Sequence, residues 1–167
     1  MTDQPNLKTP LLQPQEDVLV PAGAEPFVVR NQFKTASGVR FATVWDDFKT
    51  HFWGKVEGPR PEMRVRKYKL LTFAPDGPLI AELGGPGKVE STLGVTFALL
   101  QRQPGGQAGF LQTNGFANIF HVRDDQGVLC AIRIGLAEDG WVVDAIPVDD
   151  PLAWNGKHEI FCPVAGG

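Results

Sequence analysis

A chain of 167 residues with 16 basic and 19 acidic groups is long enough to bury one substantial core. Its net charge of -3 disfavours nucleic acid as a partner, because binders of that kind carry a basic excess. Hydrophobic and charged fractions of 43% and 21% fit a globular domain, and no apolar run approaches the ~18 residues that would suggest a membrane span.

Residues 1–26 hold five prolines, few large apolar groups and no sustained periodicity. The stretch reads as a Pro-rich arm or disordered tail, set apart from a single α+β domain over 27–167. The candidate partner-binding side chains on it are Leu11, Leu12, Val18 and Val20. It has no signal-peptide pattern, so the expected location is cytoplasmic.

Between Val39 and Trp53 the pattern turns helical. Phe41, Val44, Trp45, Phe48 and Phe52 make one apolar stripe, with Ser37 as candidate N-cap and Gly54 beyond the C-terminus. The basic run Arg64–Lys69 lies on a predicted strand over 64–73 and reads as a solvated edge. A turn at 74–78, a strand over Leu79–Leu83 and the tight loop Gly84–Gly87 follow. The segment Val89–Leu100 fits both alternation and a helical stripe; Gly94 between Thr92 and Thr96 tips the reading toward strand. A final strand is expected near Lys157–Cys162.

The run from Phe116 to Val148 is the most informative. It reads as three antiparallel strands. Asp124-Asp125-Gln126-Gly127 supplies a three-residue hairpin loop with Gly127 left-handed, pairing Val122 with Cys130 and Phe120 with Ile132. Asp139-Gly140 is read as a two-residue turn, setting Leu136 opposite Val143 and Ile134 opposite Ala145. Both registers put Phe116, Phe120, Val122, Cys130, Ile132, Ile134, Leu136, Trp141, Val143 and Ala145 on one apolar face. The other face mixes aliphatics with His121, Arg133 and Asp144, and Arg133 and Asp144 are diagonal neighbours on it. An imidazole, a guanidinium and a carboxylate among aliphatics are candidate ligand-binding groups; the plainer account is a cross-strand ion pair facing solvent.

Catalytic motifs are absent. The Gly84–Lys88 loop lacks the P-loop spacing, since Glu82 and Val89 stand where Gly and Ser or Thr are needed. The two serines, Ser37 and Ser91, are not in GxSxG, and the three histidines form no HxH or HExxH pair. Cys130 and Cys162, the only cysteines, are read as buried thiols, with a disulfide as the alternative. No metal or cofactor is expected.

The stretch DGWVVDAI, residues 139–146, resembles the terminal strand of NTF2-like cone-shaped domains. That resemblance implies a curved sheet wrapped around a helix, with a pocket. The expected fold is therefore α+β: an N-terminal arm and one amphipathic helix packed on a curved, mainly antiparallel sheet of five to seven strands. The function expected first is a non-catalytic binding or assembly subunit, engaging a protein partner or a second copy through the arm. The alternative is a small-molecule-binding protein or enzyme using the His121/Arg133/Asp144 face.

Overall fold

The computed structural model describes residues 9–164, and its first element departs from the expected arm. Strand β1 (Leu12–Val20) is followed by β2 (Phe27–Val28), helix α1 (Val29–Gln32), β3 (Phe41–Val44) and α2 (Asp46–Phe52). Next come β4 (Val56–Glu57), β5 (Met63–Leu70), β6 (Ala74–Pro75), α3 (Asp76–Glu82), α4 (Pro86–Val89), β7 (Glu90–Ser91) and α5 (Leu93–Leu100). The chain then forms β8 (Asn118–Arg123), β9 (Leu129–Ala137), β10 (Gly140–Pro147), β11 (Ala153–Trp154) and β12 (Glu159–Pro163).

The result is a mixed α/β fold with a few helices around a large, mainly antiparallel sheet. Among the described residues the sheet has eight strands, one more than the upper expectation, in the order β1-β5-β12-β8-β9-β10-β3, with β7 beside β8. The pairs β10–β3, β12–β8 and β7–β8 are parallel.

Residues 12–20 are an edge strand, which corrects the reading of an arm or tail there; residues 1–8 of that expected arm lie outside the described residues. β1 pairs antiparallel with β5, and its register shifts between Pro14 and Asp17. Proline is tolerated at an edge, and the bulge adds one residue to the alternation. Leu12 consequently faces one core while Val20 faces the other. The acidic residues of β1 also explain why the basic run is not an edge. β5 lies between β1 and β12, with Arg66 Nε 2.7 Å from Asp17 Oδ1 and Lys67 Nζ 3.1 Å from Glu16.

The first hairpin of the meander has the expected register: Val122 opposite Cys130, Phe120 opposite Ile132, and Gly127 at φ 83° in the turn. The second is shifted by two residues. Gly140 pairs with Ala137, Trp141 with Leu136 and Val143 with Ile134, so Glu138-Asp139 form the turn. A shift of two keeps every side chain on its expected face. Gly140 is needed for close approach: a Cβ there would stand 2.6 Å from the carbonyl oxygen of Arg40, where β3 docks. The DGWVVDAI strand is internal, between β9 and β3, and two further strands follow it.

Three other segments correct the sequence reading. The proposed helix over 39–53 is β3 followed by α2, because Phe41–Val44 takes up the free edge of β10 and Trp45 N–H bonds to Val143 O at 2.9 Å. Asp46 and Asp47 then open α2, where negative charge favours a helix N-terminus. Leu79–Leu83 belongs to helix α3 and the turn that ends it, at Gly84 and Gly85, both with φ above 100°. The 93–100 segment is helix α5, apolar on nearly all sides because it is buried on nearly all sides. Thr92 Oγ1 accepts from Val95 N–H, and the Glu57 carboxylate accepts from Leu93 and Gly94 N–H at 2.8 Å each.

Both sheet faces are covered. The apolar face packs against α2 and α5 through Phe48, Phe52, Leu93, Phe97 and Leu100, with Phe33 among them. On the mixed face, Ile119, Ala131, Ile160 and Leu70 pack beneath Leu79 of α3, Ala74 and Trp154. No helix among the described residues is long and apolar enough to cross a membrane.

Candidate functional site

The mixed face of the meander divides into a closed part and an open part. In the closed part His121 is fully buried and its Nε2 stands 2.8 Å from Asp76 Oδ1. The same carboxylate oxygen accepts the indole N–H of Trp154 at 3.0 Å. Asp76 reaches both because it opens α3, which lies across this face. His121, a candidate pocket residue, is therefore buried beside Asp76 and does not line the cavity.

The open part is a cavity of about 320 Å³ lined by residues that include Trp45, Gly115, Arg133, Gly135, Asp144 and His158. Arg133 and Asp144 meet there as direct cross-strand partners, where the sequence reading had them diagonal. Arg133 Nε lies 3.0 Å from both carboxylate oxygens and Nη2 bonds to Oδ2. The Asp144 side chain is 10% exposed and that of Arg133 39%.

That difference sets their electrostatics. Burial pushes the Asp144 carboxyl above its ordinary value, and the opposing hydrogen bonds and charge of Arg133 do not fully offset it. For Arg133, the hydrogen bonds to Asp144 outweigh desolvation and hold the guanidinium charged.

His158 completes the cavity. The N–H of Ala117 donates to its Nδ1 at 2.8 Å, so in the neutral ring the proton is on Nε2. Burial, aided by the charge of Arg133, lowers its pKa and favours that neutral form. Trp154 connects the two parts of the face. Its ring lies edge-on to His158 at 5.7 Å and 5.8 Å from the Arg133 guanidinium carbon, while its N–H is held by Asp76. Among the described residues, Arg133 Nη1 and the His158 Nε2–H have no protein hydrogen-bond partner, and Trp45 at the rim is 52% exposed.

Of the candidate residues, then, Arg133 and Asp144 are brought together in a cavity and His121 is not. Leu12 and Val20 are buried in the cores, and Leu11 and Val18 are partly buried against them. His158, Trp45, Asp76 and Trp154 escaped the sequence reading as site residues. Each is alone in its segment, and only the sheet order brings them to Arg133. Both cysteines are free and buried. A second cluster, His51, Asp124 and Cys130, has the donor atoms to hold a metal ion. No protein-family model matches the chain, and no curated protein and no solved structure was found that matches it.

Proposed function

We propose that this protein binds a small organic anion in the Trp45/Arg133/Asp144/His158 cavity, and does so without chemistry on it. The observation that supports this most is the pair of unpartnered donors, Arg133 Nη1 and His158 Nε2–H, in one cavity whose guanidinium is fixed by a largely buried carboxylate. Asp144 occupies the Nε/Nη2 edge of the guanidinium, which leaves Nη1 free to donate to a ligand carboxylate or phosphate. Trp45 offers a flat apolar surface to the ligand's body, and about 320 Å³ lies at the lower end for a small-molecule site. The neutral His158 donates one hydrogen bond and repels no cation.

Titrating small aromatic and aliphatic carboxylates and inorganic phosphate, read by tryptophan fluorescence and calorimetry, tests the proposal. Saturable binding of a carboxylate that is lost in Arg133→Met and weakened in His158→Phe is the expected result. Binding unaffected by both substitutions would refute it.

A second reading, an assembly subunit, draws on Phe73 and Leu71, which are 72% and 47% exposed. Such side chains suit a partner surface. If they dock a second copy, Phe73→Asp lowers the solution mass; a wild-type monomer at high concentration removes this reading.

A further inference from the structure

The first hairpin turn gathers three ligand atoms from residues far apart in sequence. His51 on α2, Asp124 in the β8–β9 turn and Cys130 on β9 each offer one ligand atom, and the three atoms lie within 4.8 Å of one another. We propose that these three side chains bind one divalent transition-metal ion, Zn²⁺ being the best match, with water in the fourth position.

The donor set argues for the metal class. One imidazole nitrogen, one carboxylate oxygen and one sulfur suit borderline-soft ions such as zinc, whereas calcium and magnesium require oxygen ligands. Tetrahedral zinc, at about 2.0–2.3 Å from each ligand atom, sets those atoms roughly 3–4 Å apart. His51 Nδ1 and Asp124 Oδ2 stand at 2.7 Å, a hydrogen-bond distance, and open slightly when the metal replaces the proton between them.

The surroundings hold the ligands in place. Asp124 Oδ1 accepts from the N–H groups of Gln126 and Val128, at 2.8 Å each, which leaves Oδ2 directed at His51. The N–H of Asp125 bonds to the carbonyl oxygen of His51 at 3.2 Å, so the end of α2 is tied to the same turn. Cys130 is fixed by the ladder opposite Val122. Outer contacts of this kind orient metal ligands.

Charge favours a cation as well. The negative charges of Asp124 and Asp149 near the sulfur attract a divalent ion, with Lys55 opposing them. On binding, the thiol proton leaves to solvent and the His51 proton shifts to Nε2. Thiolate, carboxylate and neutral imidazole then balance the two charges of the metal. Access runs past His51, whose side chain is 24% exposed; Asp124 and Cys130 are buried.

Cobalt(II) titration of the full chain under reducing conditions provides the test. One equivalent should bind, with a thiolate-to-cobalt charge-transfer band in the near ultraviolet that Zn²⁺ abolishes by displacement. Cys162, in a separate apolar cluster with Ile80, Val89 and Leu129, serves as the control. Cys162→Ser should retain the band, Cys130→Ser should lose it, and His51→Ala should weaken binding by at least about tenfold. Absence of the band in the wild-type chain, its survival in Cys130→Ser or its loss in Cys162→Ser would each overturn the proposal. Because the wild-type and Cys162→Ser titrations decide on their own, a variant that fails to fold does not protect it.

Discussion

Replacing Arg133 by Met and Asp144 by Ala, singly and together, measures how strongly the cavity's ion pair is coupled. Met keeps most of the arginine stem, so the comparison isolates the charge. Two unit charges about 4 Å apart at an effective dielectric of ~20 attract by ~4 kcal/mol, and withdrawal of the carboxylate from water offsets part of this. The expected coupling energy is ~1–3 kcal/mol. The single variants should be unequal. Without Asp144, the half-exposed guanidinium turns to solvent and the loss stays near ~1.5 kcal/mol. Without Arg133, a carboxylate only 10% exposed has no counter-charge, and the loss is ~3–5 kcal/mol near neutral pH. The pH dependence follows from the raised Asp144 pKa. A carboxyl raised on folding adds stability that is fully present below its unfolded value of 3.8 and is lost as pH rises through the folded value. Arg133→Met raises Asp144 further, so this variant's deficit shrinks as pH falls. Urea midpoints at neutral pH and about pH 4.5 read the whole cycle. A coupling under ~0.5 kcal/mol, with both single variants near wild type, would refute the reasoning.

Phe48→Ala removes a fully buried ring and should destabilise by ~3–5 kcal/mol, whereas Trp45→Ala, at a half-exposed rim position, should change stability by under ~1 kcal/mol; denaturant unfolding separates them. Asp76→Ala leaves the buried His121 Nε2 and Trp154 N–H without their acceptor, a loss of ~1–3 kcal/mol at each, and the near-ultraviolet circular dichroism of Trp154 should change with it. His158 has a pKa lowered below 6.5 on folding, so the unfolded state binds more protons in that window and stability falls as pH drops through it. His158→Phe should flatten that part of the stability–pH curve; an unchanged slope would assign it to other groups.

The meander was legible because its turns and its alternation answer the same question twice. Asp124–Gly127 determined one register, and the faces followed. Asp139-Gly140 misled by two residues, since Gly140 serves a contact with Arg40 from a strand distant in sequence. The stripe from Phe41 to Phe52 was misread for a similar reason: an open edge on β10 captures Phe41–Val44 before a helix can include them. In α5, burial on nearly every side erases the periodicity that distinguishes helix from strand. The cavity was half legible. Arg133 and Asp144 are eleven positions apart across one turn, whereas His158 and Trp45 enter through the order of the strands, which local patterns do not encode.

That order also has a kinetic meaning. β12 stands between β5 and β8, so among the described residues it is the strand that joins the β1–β5 ribbon to the meander in the hydrogen-bond ladder. In chain order both of those pieces come before residues 159–163. Until then each exposes an unpaired strand flank, on β5 and on β8, in a form prone to pairing with other chains. Such non-local closure belongs to slowly folding topologies. Joining of the two pieces thus waits on β12, and until it docks, the flanks of β5 and β8 are where this sheet is open to other chains.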